Sequence, residues 1–363
     1  MAIQYSTLSL NSTNVRELNV RQQATRLFLT VMWHGMRGLT ERIIGSIFFA
    51  PGAGNKLSRV EKEWLETGES FNIMVNGKVV RCMKTGRGPA VLFVHGWNGR
   101  GIHFHPFFEP LAEAGYSSIT FDAPGHGMSE GRTSSYFEFT DAVRALLRDG
   151  RHDIRCVVAH SIGGAATINA LDKEDMNMDA VLIAPALKLA EILTKAFDHY
   201  GVPESIWRNI IKRFEVRFGY DLTRDNPFNL IGKIKSRILI IHDKFDRTTP
   251  YSDSKAIAGK SDHIVLHTTD GLGHKRILGD KAVMNLVLEH LMSGAGAEYR
   301  EKQADAHDNP NAAKEITREN KSIMNEYVRG DFEKRLLLFL EHRALRNEFM
   351  EIDMEQIAAH NPI

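Results

Sequence analysis

The sequence predicts an α/β protein built on a mostly parallel sheet. Three observations predict it. Short, continuously apolar runs recur along the chain at Ala90–Val94, Ser118–Phe121, Cys156–Ala159, Ala180–Ile183, Ile238–Ile241 and Ile264–His267. Such runs suit strands buried on both faces. Helix-length amphipathic segments lie between them, at Pro106–Ala114, Tyr136–Arg148, Gly163–Leu171, Asp253–Ala258 and Lys281–Met292. This alternation is the pattern of helices layered on a parallel sheet. Ahead of these runs, Phe71–Val75 and Val79–Met83 flank Asn76-Gly77, a two-residue hairpin signal.

Bulk composition narrows the function classes. The chain has 363 residues, room for one large domain with additions. Hydrophobic residues make up 43% and charged residues 25%, an ordinary globular balance. A net charge of +1 gives no case for nucleic acid. Cys82 and Cys156 are the only cysteines, and both sit in apolar strand contexts, which suits a reducing compartment. No basic n-region with an apolar core opens the chain, and no run approaches the roughly 18 apolar residues of a membrane span. The expected location is cytoplasmic.

The ends differ from the middle. Residues 1–59 carry seven basic side chains against Glu17 and Glu41. Leu27, Val31, Leu39, Ile43, Ile44 and Ile47 recur at three- and four-residue spacings, which predicts one amphipathic helix closed by Pro51-Gly52. Packing on the main domain is the plain expectation for it; peripheral contact with a membrane is the alternative. About fifty residues separate Pro185 from the strand at Ile238, too many for a simple crossover. They contain two helical patterns, Leu187–Tyr200 and Glu204–Phe218, and predict a cap over residues 186–236. Beyond Gly294, a polar linker precedes helical patterns at Ala312–Val328 and Asp331–Phe349. The second contains the run Leu336–Leu340, which must be buried on the main domain or on another subunit, so a homo-oligomer is open. The expected organisation is an extension over 1–69, a main domain over 70–293 and a second extension over 298–363.

Chemistry concentrates where strands end. The strand Cys156–Ala159 runs into His160-Ser161-Ile162-Gly163-Gly164, and a helical pattern follows. A sharp strand-to-helix turn exposes its middle residue and needs small neighbours two positions away. Here those are Ala159 and Gly163. A hydroxyl becomes a useful nucleophile only with a base beside it and donors for the oxyanion it creates. The amide of Ile162, at a helix N-terminus, is one such donor. The strand at Ile238 leads into His242-Asp243-Lys244-Phe245-Asp246, two carboxylates at the edge where α/β sheets bind ligands. Asp246, further out with Pro250 fixing the return, is preferred as the orienting acid; Asp243 is expected to hydrogen-bond loop backbone. After Ile264–His267, the glycines of Gly271-Leu272-Gly273-His274 suit a loop that carries His274 back over the edge as base. His160 flanks the serine but points away from it in such a turn. After the first parallel strand, His95-Gly96-Trp97-Asn98-Gly99 brings backbone close to a substrate, with the Trp97 amide as second donor. This stretch has neither GxGxxG nor GK[ST], which excludes a phosphate loop. Apart from His103/His105, no histidine pair is accompanied by a carboxylate at ligand spacing, and no metal is expected.

The motifs HGWNGRG, FDAPGHGMSEG, AHSIGG, HDKFDRTTP and GLGHKRIL occur in the order seen in α/β-hydrolase-fold serine hydrolases. Over residues 70–293 the chain resembles the bacterial esterase/lipase-like branch with a helical cap. The resemblance implies the α/β-hydrolase fold, Ser161 as nucleophile, His274 as base, Asp246 as its orienter, an oxyanion hole from Trp97 and Ile162, and no cofactor. It implies a small-molecule carboxylic ester or thioester as substrate. Asp122, Gly125, His126 and Gly127 would shape the loop after their strand. Ala159 stands where the family usually has glycine. Serine rather than aspartate at the nucleophile argues against dehalogenases and epoxide hydrolases. C–C bond or amide hydrolysis by the same triad, and a non-catalytic binding module, remain the alternatives.

Overall fold

The computed structural model describes residues 20–52 and 56–293. The expected linker and C-terminal helices, and the first nineteen residues, lie outside this range. In chain order the elements are α1 (Val20–Gly35), α2 (Arg37–Phe48), α3 (Arg59–Thr67), β1 (Glu69–Val75), β2 (Lys78–Thr85), β3 (Ala90–Val94), α4 (Phe108–Glu113), β4 (Ser117–Phe121), α5 (Tyr136–Arg148), β5 (Ile154–His160), α6 (Ile162–Glu174) and β6 (Asp179–Ile183). There follow α7 (Leu189–His199), α8 (Glu204–Phe218), α9 (Pro227–Leu230), β7 (Ile238–Asp243), α10 (Tyr251–Ala258), β8 (Ile264–Thr269), α11 (Gly273–Arg276) and α12 (Lys281–Ser293).

The strands form one eight-stranded sheet in the order β1-β2-β4-β3-β5-β6-β7-β8. The β1–β2 hairpin turns at Asn76-Gly77 as expected, and β2 pairs antiparallel with β4. Every pairing from β4 to β8 is parallel.

The apolar runs alternate between two cores. Leu92, Val94, Val157, Ala159, Ile238 and Ile240 face one side of the sheet. Val91, Phe93, Cys156, Val158, Leu239 and Ile241 face the other. Both faces are covered, and this is why the strands show no polar alternation. One cover includes α5, α6 and the helices between β6 and β7. The other includes α4, α12 and the half-buried Trp64 of α3. Both cysteines are buried and unpaired.

The N-terminal region corrects the expectation of one helix. The chain breaks at Met36, whose non-helical backbone (φ −142°, ψ 60°) separates α1 from α2. The apolar positions of α2, Ile43, Ile44 and Ile47, are buried, and Gly45 lies against Ile210 of α8. Leu27 and Val31 of α1 are exposed instead. Aromatic contacts and one carboxylate fasten this region to the segment between β6 and β7. Phe48 stacks on Phe197 of α7, and Phe49 packs on Phe214 of α8. The buried Glu41 accepts hydrogen bonds from Trp33 Nε1 (3.1 Å), Arg37 Nε (3.3 Å) and Arg213 Nη1 (3.0 Å). A buried carboxylate is tolerable when it is paired and hydrogen-bonded in this way.

Candidate active site

All the residues picked out by sequence lie just past the C-terminal ends of parallel strands, the edge where open α/β sheets bind ligands. Ser161 follows β5, the 95–99 loop follows β3, Asp246 follows β7 and His274 follows β8. Ser161 is held at φ +56°, ψ −121°, a strained backbone for a residue with a side chain. Two bonds fix the turn: the Ser161 amide donates to Ile183 O (3.0 Å), and its carbonyl accepts from the Ala186 amide (3.1 Å). A Cβ on Gly163 would lie 2.6 Å from the carbonyl oxygens of Val94 and His95, so only glycine lets α6 start this close to β3. Ala159, two positions before the serine, is wholly buried.

Ser161, His274 and Asp246 form one hydrogen-bonded chain. His274 Nε2 is 3.0 Å from Ser161 Oγ, and His274 Nδ1 is 2.7 Å from Asp246 Oδ2. With the carboxylate on Nδ1, the proton belongs there, and Nε2 faces the hydroxyl as acceptor. Asp246 Oδ1 accepts the amides of Thr248 (2.7 Å) and Thr249 (2.9 Å). Burial by itself would raise the Asp246 carboxyl. The hydrogen bonds from His242, His274 and the Thr249 amide outweigh it and hold the group well below the usual carboxylate range. Asp243 accepts from the amides of Phe245 and Leu272 and from Thr269 Oγ1, so it ties the two loops together. His274 lies in the four-residue helical turn α11 rather than in an open loop.

The 95–99 loop is brought against the elbow. A Cβ on Gly96 would lie 3.1 Å from Ser161 Cβ. Within this loop the Asn98 amide donates to His126 Nε2 (3.3 Å) and the Gly99 amide to Gly96 O (2.9 Å). The amides of Trp97 and Ile162 have no acceptor among the described residues. Asn98 sits at φ +59°, and its Oδ1 accepts the Gly52 amide from the N-terminal region (2.5 Å).

Two buried histidines hold the loop from behind. His95 Nε2 accepts the Ala123 amide (2.9 Å), and Nδ1 lies 2.7 Å from Gly96 O. His126 accepts from Asn98 and faces Pro124 O through Nδ1 (3.2 Å). Each therefore carries its proton on Nδ1 and is neutral. Burial pushes His95 down to about 4 and His126 to about 3, with the His95 ring adding to the latter. Asp122 accepts the amides of Gly101 and Met128, which shapes the adjoining loop as expected.

Sequence reasoning missed three participants. His160 points away from Ser161 Oγ, but its Nε2 donates to His274 O (2.9 Å) and its ring lies 4.6 Å from the His274 ring. His242 is fully buried, with Nε2 3.4 Å from Asp246 Oδ2 and Nδ1 2.7 Å from Ser254 Oγ. Thr249 Oγ1 lies 3.0 Å from Asp246 Oδ2 and 3.1 Å from Ala184 O. Among the described residues no group of His, Cys, Asp or Glu could hold a metal ion, and His103 Nε2 lies 3.8 Å from Glu61 Oε1.

Residues 91–232 match the alpha/beta hydrolase family. The chain is 40% identical over 83 residues to the non-heme chloroperoxidase CPO-A1 of Kitasatospora aureofaciens, a match covering 22% of this chain and 30% of that protein. It is 30% identical over 115 residues to the dihydrolipoyllysine-residue acetyltransferase component of the acetoin cleaving system of Cupriavidus necator, covering 31% of this chain and 30% of that protein. The chain thus spans less than a third of the length of these two relatives. The esterase Pf2001 of Pyrococcus furiosus superposes with a TM-score of 0.51 at 20% identity, covering 67% of this chain and 97% of that one. By its sheet order, its strand-to-helix elbow and the family match over residues 91–232, the chain is an α/β-hydrolase-fold protein.

Proposed function

We propose that this protein is a serine hydrolase that cleaves a carboxylic ester or thioester through an acyl-enzyme on Ser161. The observation that carries the proposal is the unbroken chain from Ser161 Oγ through His274 to Asp246 on a strained elbow. His274 Nε2 removes the proton as Ser161 Oγ attacks the acyl carbonyl. Asp246 keeps the proton on Nδ1 and stabilises the imidazolium that forms. The Trp97 and Ile162 amides donate to the oxyanion of the tetrahedral intermediate. His274 then protonates the leaving alcohol or thiol, and water enters by the same route in reverse. No step needs a cofactor. His160, His242 and Thr249 act as positioning residues, through the His274 carbonyl and the Asp246 carboxylate. We further propose that residues 186–236, with the N-terminal helices packed on them, cap the site and set the size of the acyl group.

The test is hydrolysis of p-nitrophenyl esters over a series of acyl lengths, wild type beside Ser161→Ala, together with labelling by a fluorophosphonate. The expected result is turnover and labelling in the wild type, with both lost in the variant. Labelling of Ser161 without turnover of any ester would move the substrate to another acyl class. Absence of both would overturn the hydrolase reading.

A further inference from the structure

The N-terminal helix α1 is amphipathic, and its apolar stripe faces outward. Its inner side is anchored to the cap and to α2. Gln22 Nε2 donates to His199 O (2.6 Å), Trp33 Nε1 donates to Glu41, and Gly201 approaches the backbone of Gln22. Leu29 alone among its large apolar side chains is fully buried. Val20 and Leu27, seven residues apart, and Phe28 and Val31, one and four residues beyond Leu27, lie on the exposed side, and Met36 extends the row past the helix end. Leu27 is 67% exposed, Phe28 49%, Val31 64% and Met36 51%. Single exposed apolar residues need no explanation, but a contiguous stripe on one helix does.

Charge identifies what fits this stripe. Over residues 20–48 the only carboxylate is Glu41, which is buried and already bonded by two arginines. Arg26, Arg37 and Arg42 are exposed. The groove between α2 and α8, which starts at Arg37 beside Met36, adds Lys212, Arg213 and Arg217. The face is therefore apolar with a basic rim, the combination that seats a helix in the headgroup region of an anionic bilayer. The apolar run of the chain's own C-terminal region suits the rim less well. Over residues 331–349 Asp331, Glu333, Glu341 and Glu348 are balanced by Lys334, Arg335, Arg343 and Arg346. No helix among the described residues is long and apolar enough to cross a membrane, so contact of this kind would be along the surface.

We propose that the outward stripe of α1, with its arginine rim, docks the protein on an anionic lipid surface with the cap facing the bilayer. The stripe is about 24 Å long at 1.5 Å per residue, and it lies on the same side of the sheet as α7 and α8.

The experiment is co-sedimentation of the full chain with vesicles of phosphatidylcholine alone and of phosphatidylcholine mixed with phosphatidylglycerol. The wild type is expected to partition to the mixed vesicles, weakly to the neutral ones, and less as salt rises. The double substitution Leu27→Glu and Val31→Glu should lower that partition by at least about tenfold. Both side chains are exposed, so the circular dichroism spectrum and melting temperature should not change, and this readout does not depend on any catalytic role. No partition by the wild type, or equal partition by the variant, would overturn the proposal. So would a concentration-dependent dimer that the same substitutions dissolve, or a cross-link in the full chain between α1 and residues 331–349.

Discussion

Ser161, His274 and Asp246 are arranged so that each has one partner it cannot exchange. Asp246 is the clearest case, because its two oxygens divide the work. One takes two loop amides, and the other faces the ring nitrogen of His274. Asp246→Asn keeps the size but offers an amide N–H or a neutral oxygen to Nδ1, which favours the wrong tautomer of His274. The expected outcome is a fall in kcat of roughly 10³- to 10⁴-fold with a small change in KM, measured on whichever p-nitrophenyl ester the wild type prefers. A loss of less than about tenfold would take the orienting role away from Asp246. These three residues were legible in the sequence because each closes a strand and sits in a short motif. His160, His242 and Thr249 were not. Their roles depend on which groups the folded loops bring together: the bond from His160 to His274 O joins residues 114 apart in sequence. No local pattern encodes such a meeting.

At the scale of the elements, the parallel strands were readable because burial on both faces leaves a plain apolar run. The two helices at Leu189–His199 and Glu204–Phe218 were readable by periodicity. The N-terminal helix was misread for a physical reason. Periodicity tells that an apolar stripe exists but not which way it faces, and Gly35 to Gly38 allowed a break that splits Leu27 and Val31 from Ile43, Ile44 and Ile47. The elbow makes a sharper prediction. Helix α6 starts against the carbonyls that end β3 because Gly163 has no side chain. In Gly163→Ala the new methyl meets backbone, which cannot rotate away. Thermal unfolding should show a destabilisation of about 1–3 kcal/mol, and kcat should fall because the elbow is pushed from the Trp97 loop. An unchanged melting temperature would mean that the turn has slack that this packing does not show.

For the molecule as a whole, the buried histidines set how stability responds to acid. Burial first, with smaller contributions from neighbouring charges, lowers His95 and His290 to about 4 and His126 and His160 to about 3. In an unfolded chain each returns to about 6.5. Between the two values the unfolded chain binds protons that the folded chain refuses, so stability falls as pH drops from 6.5 towards 4 and is fully present only above 6.5. The melting temperature should therefore decline already between pH 6.5 and 5, above the range where ordinary carboxylates titrate. A flat profile over that window would mean that these rings accept protons without loss of structure.

The strand order also bears on how much of this chain could be moved elsewhere as a working unit. The family match starts at residue 91, one residue into β3. Yet β4 has β2 as its outer neighbour, and Asn98 is held by the amide of Gly52. A transplant trimmed to the match would leave β4 as a bare edge, open to pairing with another chain. It would also release the turn that presents Trp97. A graft that keeps both features has to begin no later than Gly52, so the portable unit takes in part of what looks in the sequence like an appendage.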